Sequence, residues 1–158
     1  MTTYQWLLVF HVLAAFLFLS GSIVAGVFHY LATRRERPSE VALLLGLVRP
    51  AVAVVAIGSL GTLGFGLWLV DEAGYGYGDG WIVAALVLWL VSGALAGPSG
   101  KMLRHARELA EKLAREGDQP SEELRRAVAD PRTLAMNYAS FLIVVAILVL
   151  MIFKPGAG

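Results

Sequence analysis

Residues 4–33 read YQWLLVFHVLAAFLFLSGSIVAGVFHYLAT, a run with no Asp, Glu, Lys or Arg. At ~1.5 Å per helical residue it is about 45 Å long, more than the roughly 30 Å hydrocarbon core of a bilayer. Its two imidazoles, His11 and His29, are five helical turns apart. Both therefore project from one face, about 27 Å apart along the axis, one toward each side of a membrane.

Working outward, three more uncharged windows follow, at 50–70, 80–100 and 133–153. Each matches the ~20 residues needed to cross hydrocarbon. Apolar residues make up 58% of the 158-residue chain and charged residues 16%. A water-soluble fold of this size has too little polar surface to cover so much apolar area. The predicted fold is an all-α, four-helix transmembrane bundle forming one integral membrane domain, 1–158. Spans are expected at 4–32, 50–70, 81–100 and 132–153, with an amphipathic cytoplasmic hairpin over 101–130.

Net charge is only +1, but its placement carries the topology. Arg34, Arg35, Arg37 and Arg49 lie between spans one and two, and eight further basic residues lie between spans three and four. The loop DEAGYGYGDG, 71–80, has none. By the positive-inside rule the first and third loops face the cytoplasm and both termini face outside, in a cytoplasmic (inner) membrane. No basic residue precedes the first span, so it is read as an anchor rather than a cleaved signal. Tyr4, Trp6, Trp68, Tyr75, Tyr77 and Trp81 fall at the outer interfacial belt.

Small residues mark where helices approach. Gly58, Thr62 and Gly66 share one face of span two, and Gly93 and Gly97 repeat the device in span three. Ser39 is read as the N-cap of a helix from Glu40, and Pro50 as the start of the membrane part of span two, with a kink. Beyond Pro98, which is able to break the third helix, Met102, Leu103, Ala106, Leu109, Ala110 and Leu113 form an apolar stripe. Its expected i,i+4 ion pairs are Arg104–Glu108, Glu108–Lys112 and Glu111–Arg115. Gly117 stops that helix, Pro120-Ser121 opens a short one, and Asp130-Pro131 launches span four.

The chemistry rests on the histidines. His11 lies about two turns inside the outer surface, where an unpaired ring nitrogen is costly, so the ring should face the bundle interior. One reading is a neutral imidazole bonded to a backbone carbonyl or to a hydroxyl such as Ser59 or Thr62. The other is an axial ligand to haem b, or a copper ligand. His29 and His105 are expected at similar depth near the inner surface, where a six-coordinate haem b would use both and Arg34, Arg35, Arg49 and Arg104 would take its propionates. Interfacial histidines beside arginines are also common without any ligand. The chain has no Cys, which removes disulfides, thiolate sites and Fe–S clusters. Hydrolytic and phosphoryl-transfer sites have no residue set to stand on, a Ca²⁺ site from Asp71, Glu72 and Asp79 has no EF-hand spacing, and the interleaved charges do not suit nucleic acid.

The segments HVLAAFLFLSGSIVAG (11–26), TRRERPSE (33–40), DPRT (130–133) and LMIFKP (150–155) resemble a bacterial integral-membrane family, domain of unknown function 2269. More distantly, an early membrane His followed by Gly is similar to the copper-resistance D domain, which implies copper uptake. It is similar also to the membrane-embedded protoporphyrinogen oxidases, which implies haem b. In both, the counterpart of His11 is the residue that matters, with Gly21 at the matching distance. No second ligand of equal clarity lies in the outer half, and Lys101 and His105 are too far inward to share a metal with His11. The sequence thus supports a haem b or copper protein acting in redox through His11. Its rival is a cofactor-free accessory or scaffolding bundle, packing through glycine ridges within or between subunits, as a homo-oligomer or with another membrane protein. A small transporter is a third reading.

Overall fold

In the computed structural model, which describes residues 2–156, the elements are α1 (Thr3–Thr33), α2 (Pro38–Glu72), α3 (Gly80–Arg115), α4 (Glu122–Val128) and α5 (Pro131–Phe153). The described residues contain no strand. Helices α1, α2, α3 and α5 are long and apolar enough to cross a membrane, and they run alternately up and down. The start of α1, the end of α5 and the Tyr75 loop thus share one end of the bundle, the terminal end, and α4 lies at the other, the hairpin end.

Local sequence sets each boundary. Thr2 and Gln5 form a reciprocal capping box at the start of α1. Helix α2 begins earlier than the Ser39 cap expected from sequence: Arg37 is the N-cap and Pro38 the first helical residue. Proline's fixed φ and missing N–H suit that position. Ser39 is free for another task, and its N–H and hydroxyl each donate to the Asp118 carboxylate at 2.7 Å. Pro50 and Pro98 both lie inside continuous helices. With Pro98 absorbed, α3 reaches about 54 Å at ~1.5 Å per residue, so the first half of the hairpin is the same helix projecting beyond the bilayer. Gly117 takes φ +124° just after it, and Ser121 and Asp130 cap α4 and α5. The ion pairs on α3 differ from the expected set. They are Arg107–Glu111 at 3.6 Å and Lys112–Glu116 at 4.0 Å, long-arm surface pairs among which the choice costs little.

The bundle is built from two helix pairs, α1 with α2 and α3 with α5, joined mainly through α2 and α3. The first pair is drawn close by glycine. A Cβ on Gly58 would stand 2.3 Å from the Phe18 nitrogen, and one on Gly21 2.9 Å from Val55 Cγ2, distances only a missing side chain permits. At the hairpin end Ala32, Val41, Leu45, Val48, Ala106, Ala110, Leu124 and Val128 form an apolar core linking α1, α2, α3 and α4. At the terminal end Val70, Trp81 and Ile82 form a smaller one. Helices α1 and α5 touch little, and between them the terminal half is hollow. Outward-facing Phe16, Leu142, Ile152 and Phe153 are 66–75% exposed, a surface that suits lipid and not water.

Candidate functional site

His11 sits on α1 two turns below the terminal end, half-buried at the edge of that hollow. Its Nδ1 lies 3.0 Å from the Thr62 carbonyl oxygen of α2. A carbonyl only accepts, so Nδ1 carries the proton, and since an apolar setting disfavours the charged ring, the neutral form with a bare Nε2 is the one expected here. The Thr62 carbonyl is reachable because the residue one turn later is Gly66. A Cβ there would stand 3.0 Å from His11 Cε1 and 3.2 Å from Nδ1. The hydroxyls considered as alternative partners are occupied. Thr62 Oγ1 donates to the Gly58 carbonyl at 2.7 Å, and Ser59 Oγ accepts from Trp89 Nε1 at 2.9 Å. Nε2 of His11 is left with no partner among the described residues.

The cavity that His11 borders measures about 530 Å³, within the range of small-molecule and cofactor sites. Its walls are apolar, with Leu8, Ala15, Leu63, Ile82, Leu86 and Val144 among them. Exposed Val12 and Phe16 on α1 and Leu148 and Ile152 on α5 frame a lateral mouth toward the lipid. At the terminal rim stand Tyr75, Trp81 and Lys154. A neutral imidazole with one nitrogen tied to a carbonyl and the other unshared is the form in which histidine ligates metals, the carbonyl fixing the tautomer and raising ligand basicity. The same nitrogen also accepts a hydrogen bond from a ligand hydroxyl.

His29 is 2% exposed and fully committed. Its Nε2–H donates to the Val128 carbonyl at 2.9 Å, and its Nδ1 accepts from Asn137 Nδ2 at 3.1 Å. Asn137 Oδ1 in turn accepts from the Ser99 hydroxyl. This chain ties α1, α3, α5 and the end of α4 together with no nitrogen left over for a metal. His105 and Arg49 are exposed, on α3 and α2, and neither they nor His29 borders the His11 cavity. Arg34 packs over the Tyr30 ring and Arg35 pairs with Glu40. Gly21 lies at the α1–α2 contact and Gly58 beside it, while Gly93 and Gly97 face outward with open space where a Cβ would go. Among the described residues no three His, Cys, Asp or Glu gather into a metal-binding group. Sequence reasoning passed over Lys154. The available signal was that, of 13 Lys and Arg, it alone lies at the terminal end.

A family model described as "Predicted integral membrane protein (DUF2269)" matches residues 5–155. No curated protein and no solved structure matches the chain.

Proposed function

The chain belongs to the DUF2269 family of predicted integral membrane proteins, and from that premise we propose that it holds haem b in the terminal half of its bundle through His11, in a redox role. The observation that carries this reading is the bond from His11 Nδ1–H to the Thr62 carbonyl, which leaves Nε2 unshared on a ring bordering an apolar cavity. A copper ion fits less well, since it needs ligands beyond one imidazole and no three His, Cys, Asp or Glu gather among the described residues. A porphyrin requires only one protein ligand and an apolar slot, and its iron supplies one-electron chemistry when bound.

The chain's own residues then have separable tasks. Thr62 fixes the imidazole tautomer, and Gly66 gives the ring room against α2. Leu63, Ile82, Leu86 and Val144 keep water from the cavity, and the gap between α1 and α5 admits a flat ligand from the lipid. By the positive-inside rule the site belongs to the outer half of a cytoplasmic membrane. Purified in detergent, the protein is expected to show a Soret band, natively or after haemin addition, and His11→Ala to lose it. A wild-type preparation that takes up no haemin, or a His11→Ala variant that keeps the band, overturns the reading.

One observation favours a second reading, a cofactor-free bundle that packs against a partner or another copy. Gly93 and Gly97 present a small-residue surface on α3 that nothing among the described residues covers. A monomeric state in nanodiscs, unchanged by Gly93→Leu, counts against it.

A further inference from the structure

We propose that the terminal end of the cavity binds a carboxylate of the ligand whose body reaches His11, with Lys154 Nζ as its counter-ion. This rests on the cavity being the ligand site and deepens the haem reading, because the carboxylate it predicts is a propionate.

Three observations converge on that end. Lys154 closes α5 in the left-handed conformation, φ 39° and ψ 58°, which non-glycine residues adopt uncommonly and which turns the chain at the helix end. A lysine at a helix end ordinarily extends into water. This one instead folds back over the bundle, its ammonium 5.0 Å from the Tyr75 ring centre, 5.7 Å from that of Trp81 and 3.3 Å from the Tyr75 hydroxyl. No Asp or Glu lies within ion-pair distance of it among the described residues, although Asp71, Glu72 and Asp79 occupy the same end. An ammonium beside an apolar cavity, held by aromatic faces and with no carboxylate partner among the described residues, is suited to an anion.

The third observation is Trp81. It borders the cavity, is 5% exposed, and its Nε1–H is buried without an acceptor. Buried indole N–H groups normally have one. A carboxylate drawn to Lys154 brings two acceptor oxygens to this corner, one for the ammonium and one for the indole once the lysine arm has moved toward the ligand. The acceptor that the fold omits is then supplied by the guest.

The test compares acids with their esters on the full chain in nanodiscs. Haemin and haemin dimethyl ester are titrated by absorbance, and oleate and methyl oleate by tryptophan fluorescence. For wild type the acid of a pair is expected to bind about tenfold more tightly than its ester, as one charge-assisted contact supplies. Lys154→Gln should erase the preference and Lys154→Arg keep it. Trp81→Phe should reduce the preference without weakening the ester. Equal binding of acid and ester in both pairs overturns the proposal, as does a Lys154→Gln variant that retains the wild-type preference. Discrimination with oleate but no uptake of haemin supports the carboxylate end and removes the haem reading, so the two failures are distinguishable.

Discussion

The two imidazoles of α1 differ in what they leave unsatisfied, and substitution should separate them. Removing His29 strands the buried Val128 carbonyl and the part-buried Asn137 amide at the hairpin end, and each orphan costs on the order of 1–3 kcal/mol. Removing His11 costs one hydrogen bond, about 1 kcal/mol, because Thr62 keeps its place in the helical ladder. His29→Ala is therefore expected to lower unfolding stability in detergent well beyond His11→Ala, measured by denaturant titration followed by circular dichroism. A reversed order would mean that His11 is the structural residue. The tautomer is a second check. In ¹⁵N spectra of labelled imidazole, His11 should show a protonated Nδ1 and a bare Nε2. Gly66→Ala, whose methyl meets the ring at 3.0 Å, should weaken the Thr62 bond and mix the tautomers.

Between helices, close approach and capping decide. Gly58 faces backbone atoms of α1 that have no freedom to yield. Gly58→Ala should thus destabilise by about 2 kcal/mol or more through overpacking, whereas Gly93→Ala, in open space, should stay within roughly 0.5 kcal/mol. Denaturant titration of the two variants reads the contrast. The turn after α3 is stapled to the start of α2 by Asp118, whose carboxyl is held below its ordinary range by hydrogen bonds from the Ser39 hydroxyl and N–H. A carboxyl with a lowered folded-state pKa stabilises above its unfolded value, and that contribution disappears as pH falls through the folded value. Protection of the Ser39 amide, its exchange rate taken relative to the intrinsic rate at each pH, should therefore hold at about pH 5 and fall only below the ordinary carboxylate range, and Asp118→Asn should lower it throughout. The staple was hidden from sequence reading because it joins residues 79 positions apart, beyond the reach of local capping patterns.

For the molecule as a whole, composition and charge blocks made the fold legible, since lipid admits only helices and closed barrels and uncharged runs of about 20 residues are of helix and not strand length. The same rule carries α2 and α3 through Pro50 and Pro98, residues that read as breaks in isolation. The site was half legible. His11 was marked by being a ring nitrogen in an uncharged span, but its partner is a carbonyl, which no residue identity announces. Lys154 likewise reads as an ordinary end-of-span lysine until the bundle folds it back over Tyr75 and Trp81. The sidedness of the bundle is the remaining expectation, and it determines which compartment the cavity's half of the membrane faces. The chain has no native Cys, so single cysteines report cleanly. Gly78→Cys in the Tyr75 loop and Gln119→Cys beyond α3, both at exposed positions, are expected on opposite sides of the membrane. An impermeant maleimide added to intact cells should label the first and spare the second until the cells are opened. Labelling of Gln119→Cys alone would invert the bundle and turn the cavity's half toward the cytoplasm. Labelling of both would break the four-span topology itself, and with it every depth argued for the imidazoles.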